Sequence, residues 1–285
     1  MLDAMDEYNK LQQCLAANEC RLIQVVAIPR SVCTACARAL SCAHPRGLLL
    51  NEPFSRDRRD ESTAFANISE YIETVRPKLL VIKNLAKHLP PESFIKLARL
   101  SSGIVWCIRD PYVQFASLLT RMQNDAEHFE GADIIEQSAL RYDQLEKLSD
   151  ELEGQSGFER GSWQAIASLK TMYDTQFLEP QIVIDGDNLA KNPLATLRRA
   201  TKALSIDFRP QMINGWDAEA VHMGHTNARA EKYGLEHSGW IGRALTATDW
   251  GDNKRIALRP DALPPALRGH IETVALPIYR SMSEH

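Results

Sequence analysis

Four charged side chains stand where apolar runs stop. Arg30 follows Leu22 to Ile28, Glu52 follows Leu48 to Leu50, Lys83 closes Lys78 to Lys83 (KLLVIK), and Arg109 follows Gly103 to Ile108. Three cations and a carboxylate are the set needed to hold an oxyanion and to move a proton beside it. Arginine offers a planar fork of donors matched to phosphate or sulfate oxygens, and a carboxylate in such company is suited to general-base work. One charge at a strand end is ordinarily a solvated terminus. Four at successive ends describe a polar cleft.

The runs themselves supply the positioning. Leu22 to Ile28, centred on Val25 and Val26 and closed by Pro29, reads as a buried strand. Ser31 to Thr34 are small or hydroxylated and Ala35 to Leu40 are good helix formers, so the unit is strand, tight loop, helix. Such a loop aims backbone N–H groups and a helix N-terminus at one spot, which favours an anion. Further strands fall at 48–50, 78–83, 103–108 and 181–184. Helices fall at 3–17, 65–75, 91–100, 133–153, 159–178 and 193–204, with Arg56 to Glu61 a charged loop. Asp110 is a suitable N-cap and Pro111 a suitable first residue for a helix to about Asn124. The alternation predicts an α/β fold of P-loop-like, three-layer form: a central, mostly parallel sheet with helices on both faces. Ligands of such sheets sit beyond the carboxyl ends of the strands.

Composition narrows the function. The chain of 285 residues, 44% hydrophobic, can bury one substantial core. A formal charge of −4 argues against nucleic acid or a membrane surface as partner. No run is long enough for a membrane span, and the first residues are polar and acidic where a signal peptide is basic and then apolar, so a cytoplasmic protein is expected. Six cysteines (14, 20, 33, 36, 42 and 107) form no regular framework. Cys33 and Cys36 make a C-x-x-C with no second pair, and they read as small buried hydrophobes. His222, His225 and His237 have the spacing of no standard site, so no metal is expected. No G-x-x-x-x-G-K-[ST] occurs, which argues against a P-loop kinase or hydrolase.

At Ile108-Arg109-Asp110-Pro111, followed by Ser117, the chain resembles sulfotransferases that use 3′-phosphoadenosine 5′-phosphosulfate (PAPS), in which an Arg and a Ser so placed hold the 3′-phosphate. Pro29-Arg30-Ser31-Val32-Cys33-Thr34, with Ala35, resembles that family's 5′-phosphosulfate loop, P-[KR]-S-G-[ST]-T. Arg30, Ser31 and Thr34 match. Val32 stands in place of Gly and Cys33 in place of Ser or Thr, and a positive φ at Val32 would be costly.

In the branch with a Pro-Arg-Ser loop, the resemblance makes Glu52 the general base, with Lys83 and Arg30 stabilising the transferring group and the bridging oxygen. His88, in KHLP, is the rival base, similar to a His of the cytosolic branch. Lys232, before Tyr233-Gly234, resembles weakly a late segment that covers the 3′-phosphate. Asp185 to Leu204 is similar to a family stretch after the fifth strand.

The resemblance covers about residues 21 to 205 and implies one sulfotransferase-like domain. Its nucleotide-binding core would be 18–118 and 180–205, with a helical insertion at 119–179 and a loop-rich cover at 206–285. It implies PAPS as donor, leaving as adenosine 3′,5′-bisphosphate, a small-molecule or peptide acceptor, and no required metal; it accommodates a homodimer. A sulfotransferase-like protein without transfer activity, acting as a binding module, is the alternative.

Overall fold

Strand β1 (Arg21–Ala27) lies at the centre of the sheet because both of its faces are apolar; only its first residue is exposed. A computed structural model describes residues 4–54, 61–130, 161–223, 247–250, 259 and 262–284. Around β1 stand β2 (Gly47–Asn51), β3 (Leu79–Leu85), β4 (Gly103–Ile108), β5 (Gln181–Asp185) and β6 (Glu219–His222), in the order β5-β4-β1-β3-β2-β6. Every pairing is parallel. The fold is α/β, with helices packed on a central parallel sheet.

Alternation along the strands divides the core into two layers. On one face Leu22, Val26, Leu48, Leu50, Leu80, Ile82 and Trp106 meet α1 (Ala4–Ala17), α3 (Glu61–Val75), α4 (Pro91–Leu100), α5 (Pro111–Glu130) and α6 (Gly161–Gln176). On the other Ile23, Val25, Leu49, Val81 and Val105 meet α2 (Cys33–Ser41), α7 (Gly186–Lys191) and α8 (Pro193–Ala203). Burying each such aliphatic side chain is worth about 1.5–3 kcal/mol against exposure, so both layers resist displacement of the strand ends they carry.

Chain order fixes where a ligand belongs. From β1 the chain crosses to β2, while from β4 it crosses to β5 on the opposite side of the sheet. β1 and β4 are therefore the neighbours between which the connections part, and the crevice beyond their carboxyl ends is the expected binding place. Arg30 and Arg109 follow these two strands.

Three expectations need correction. Lys83 does not end its strand, since β3 continues to Leu85. The segment after 205 is not only loop: β6 pairs with β2, and residues 265–283 are helical as α9 (Pro265–His270), a π-turn (Ile271–Ala275) and α10 (Leu276–Ser283). Pro277 cannot donate to the helix ladder, and the π-turn just before it carries the helix past that missing bond. Glu61 is helical, the first residue of α3. The helix expected over 133–153 lies outside the described residues, and α5 extends beyond Asn124 to Glu130.

Candidate functional site

The loop between β1 and α2 is built against local preference. Arg30 has φ 64° and Val32 φ 61°, both in the left-handed region. A β-branched residue there carries strain of about 1–3 kcal/mol, which persists where surrounding structure imposes it and which gathers at functional sites. Fully buried Ser31 ties the turn together, its hydroxyl donating to the Ile28 carbonyl at 2.8 Å. No side chain caps α2 at Val32. The N–H groups of its first turn, at Cys33, Thr34 and Ala35, converge where an anion is favoured.

Glycine 186 holds the β5–α7 corner against this loop. A Cβ at Gly186 would fall 2.5 Å from the Ser31 carbonyl oxygen, so nothing larger fits without moving one segment.

Arg30 and Arg109 meet here. Arg30 Nε donates to Ser117 Oγ at 3.2 Å, joining the loop to α5. Arg109 donates from Nε (2.9 Å) and Nη2 (2.7 Å) to Asp187 Oδ1, and from Nη1 to the Arg30 carbonyl at 3.2 Å. The Arg109 guanidinium thus reaches the Arg30 backbone while the Arg30 guanidinium reaches Ser117, and both arginines are tied to the β1–α2 loop. Ser117, expected beside Arg109, is engaged by Arg30. Asp187 was not singled out as a site residue, and its only sequence signal is a position just past the last strand. Below Arg109, Asp110 Oδ1 accepts from the N–H groups of Tyr112 (2.9 Å) and Val113 (3.2 Å), capping α5 as its type suggests.

Glu52 and Lys83 form the second part of the site. Glu52 follows β2 with φ 60°, a left-handed turn that brings its N–H onto the Lys83 carbonyl at 2.6 Å. Its carboxylate accepts from Lys83 Nζ through Oε1, and its Oε2 lies 3.9 Å from His88 Nδ1. Lys83 is 2% exposed and Glu52 7%. Burial alone lowers the pKa of Lys83, but the neighbouring Cys33 sulfur and the Glu52 carboxylate outweigh it and hold the ammonium above the ordinary lysine value. Burial pushes the Cys33 thiol up. Cys33, at the head of α2, feels the charges of both Lys83 and Glu52, so the anion loop lies close to the carboxylate.

Glu52 therefore lies between Lys83 and His88. The two candidate bases are neighbours. Lys232 lies outside the described residues, as do His225 and His237. Cys33, Cys36 and Cys107 are buried free thiols. Among the described residues no group of three or more His, Cys, Asp or Glu is placed to hold a metal ion, and no helix is long and apolar enough to cross a membrane. Trp163 and Tyr173 are core residues, Tyr173 packed with Phe94 and Trp106 and Trp163 with Tyr279.

No protein-family model matches the chain, and no curated protein matches it. Among solved structures it is similar to the sulfotransferase domain from the curacin biosynthetic pathway, at 14% identity with a TM-score of 0.44, covering 89% of this chain and 96% of that one. It is also similar to the sulfotransferase domain from the Synechococcus PCC 7002 olefin synthase, at 15% identity with a TM-score of 0.38, covering 89% of this chain and 94% of that one.

Proposed function

We propose that this chain is a sulfotransferase that moves a sulfuryl group from PAPS to a hydroxyl or amine of a small-molecule acceptor, with Glu52 as general base. The observation that carries the reading is the adjacency of an uncapped, left-handed anion loop to a buried Glu52–Lys83 pair at the carboxyl ends of a parallel sheet. The residues present suit such a donor: an open helix N-terminus with Arg30 for the phosphosulfate, and Arg109 and Ser117 for a second anion. Bound PAPS supplies an activated sulfuryl group, which leaves its phosphate oxygen as the acceptor oxygen bonds to sulfur.

The chain's own residues do the rest. Arg30 and the first turn of α2 hold the anion in place, a positioning task like that in phosphoryl transfer. Lys83, fixed by Glu52, presents a buried positive charge where negative charge grows, and such a preorganised charge acts strongly in a water-poor site. Glu52 takes the acceptor's proton. No metal enters this scheme.

Glu52→Gln tests the assignment. The variant is expected to keep binding adenosine 3′,5′-bisphosphate, seen as a rise in melting temperature, while transfer from PAPS falls by roughly 10²–10⁴-fold. A Glu52→Gln variant as active as the parent would remove Glu52 from the role. The alternative, a binding module without transfer, is favoured by Val32 in the glycine position of the resembling loop; it predicts the same nucleotide binding with no sulfated product from any acceptor.

A further inference from the structure

Asp187 holds Arg109 through a single oxygen, and the segment that carries Asp187 has little with which to hold itself. Asp187 lies in the first turn of α7, which is six residues long, far below the length at which a helix is stable alone in water. The start of α7 is fixed by Asp185 as N-cap, whose Oδ1 accepts from the Asn188 N–H at 2.8 Å. The other oxygen of Asp185 is also engaged. Its Oδ2 accepts from the Tyr279 hydroxyl at 2.9 Å. Tyr279 stands in α10, which packs on α6 and β5, and its ring lies edge-on to the fully buried Trp163 with 6.3 Å between centroids. A chain of direct contacts therefore runs from the C-terminal helix through Tyr279, Asp185 and the first turn of α7 to Asp187 and Arg109.

The same C-terminal segment reaches the other member of the clasp. Glu272, in the π-turn before α10, accepts from the Tyr112 hydroxyl at 3.1 Å, and Tyr112 follows Arg109 closely at the start of α5, where Asp110 caps its N–H. C-terminal residues thus grip the chain just after Arg109 and just before Asp187. What Arg109 has left to offer makes this grip matter. Nε and Nη2 donate to Asp187 and Nη1 donates to the Arg30 carbonyl, so among the described residues a second hydrogen on each terminal nitrogen remains for a ligand. Where that pair points depends on where Asp187 stands, and a guanidinium contacts an anion through two parallel bonds only when its direction is right.

We propose that Tyr279 is a positioning residue for Arg109, and that through Asp185 and Asp187 it sets how strongly the chain prefers a nucleotide with a second phosphate. The inference rests on the donor reading above and adds a specificity determinant in the C-terminal helix. Tyr279 touches neither nucleotide nor acceptor in this account. Its loss therefore acts on the difference in affinity between nucleotides, not on proton removal by Glu52.

The test titrates the full chain calorimetrically with adenosine 3′,5′-bisphosphate and with adenosine 5′-monophosphate, as parent, Tyr279→Phe, Arg109→Ala and the double variant. Tyr279→Phe keeps the ring against Trp163 and removes only the hydroxyl. It is expected to weaken the bisphosphate about fivefold or more while leaving the monophosphate unchanged. In the Arg109→Ala background the same substitution is expected to change neither affinity, because its effect passes through Arg109.

An unchanged preference in Tyr279→Phe overturns the role. So does equal weakening of both nucleotides, the mark of a merely structural tyrosine, or a loss of the same size once Arg109 is already gone. In each of those cases a parent that binds the bisphosphate more tightly leaves the donor reading standing. A parent that binds the two nucleotides alike removes the donor reading and the positioning role together.

Discussion

The base role proposed for Glu52 depends on Lys83, whose ammonium donates to Oε1 and offsets the cost of burying the carboxylate. The pair also bears on stability. Lys83→Met leaves an uncompensated buried carboxylate, so it is expected to destabilise the fold by about 3–5 kcal/mol in urea unfolding near neutral pH. Lys83→Met with unchanged stability would mean that the pair does not form.

The pH dependence has a definite sign. The folded-state pKa of Lys83 lies above the ordinary value of 10.5. Its contribution is therefore fully present below that value and is lost as pH rises through the folded pKa. Unfolding free energies of the parent and Lys83→Met, measured in steps through alkaline pH, should converge as the ammonium loses its proton. A gap that widens there would contradict the assignment.

At the scale of elements, the site depends on how two corners meet. The β1–α2 loop holds a left-handed valine, and the β5–α7 corner touches the loop through Gly186, with Asp187 clasping Arg109. Val32→Gly removes strain but adds freedom to the unfolded chain. The net expectation is stabilisation by roughly 1 kcal/mol with nucleotide binding retained. A loss of binding would show that the Val32 side chain itself contributes.

Gly186→Ala should act in the opposite direction. Its Cβ has no space against the Ser31 carbonyl, so the corner must move, at a cost of about 1–3 kcal/mol, and the Arg109 clasp moves with it. Urea unfolding and a nucleotide melting-temperature shift read both effects. A second clasp ties in the C-terminal helix: Tyr279 donates to Asp185 Oδ2 at 2.9 Å, and burial, with that carboxylate beside it, pushes the phenol up to about 12.

Across the whole molecule, the parts legible in the sequence were those whose signal is local. Continuous apolar runs such as Val25–Val26 and GIVWCI marked buried parallel strands, and Asp110-Pro111 marked the start of α5. β6 was missed because four residues carry too little pattern, and its pairing with β2 joins segments about 170 positions apart in sequence. The Arg109–Asp187 clasp spans 78 positions and has no local signature. Helices α9 and α10 fall in the stretch expected to be loop-rich because its periodicity fades, and the π-turn before Pro277 is set by packing rather than propensity.

The central claim is that Arg30, Arg109 and the first turn of α2 grip two anionic ends of one nucleotide beside Glu52. Calorimetric titration with adenosine 3′,5′-bisphosphate and with adenosine 5′-monophosphate addresses it most directly. Tight binding of the bisphosphate is expected, much weaker binding of the monophosphate, and loss of that difference in Arg109→Ala. Equal affinity for the two nucleotides, or no heat with either, would contradict it.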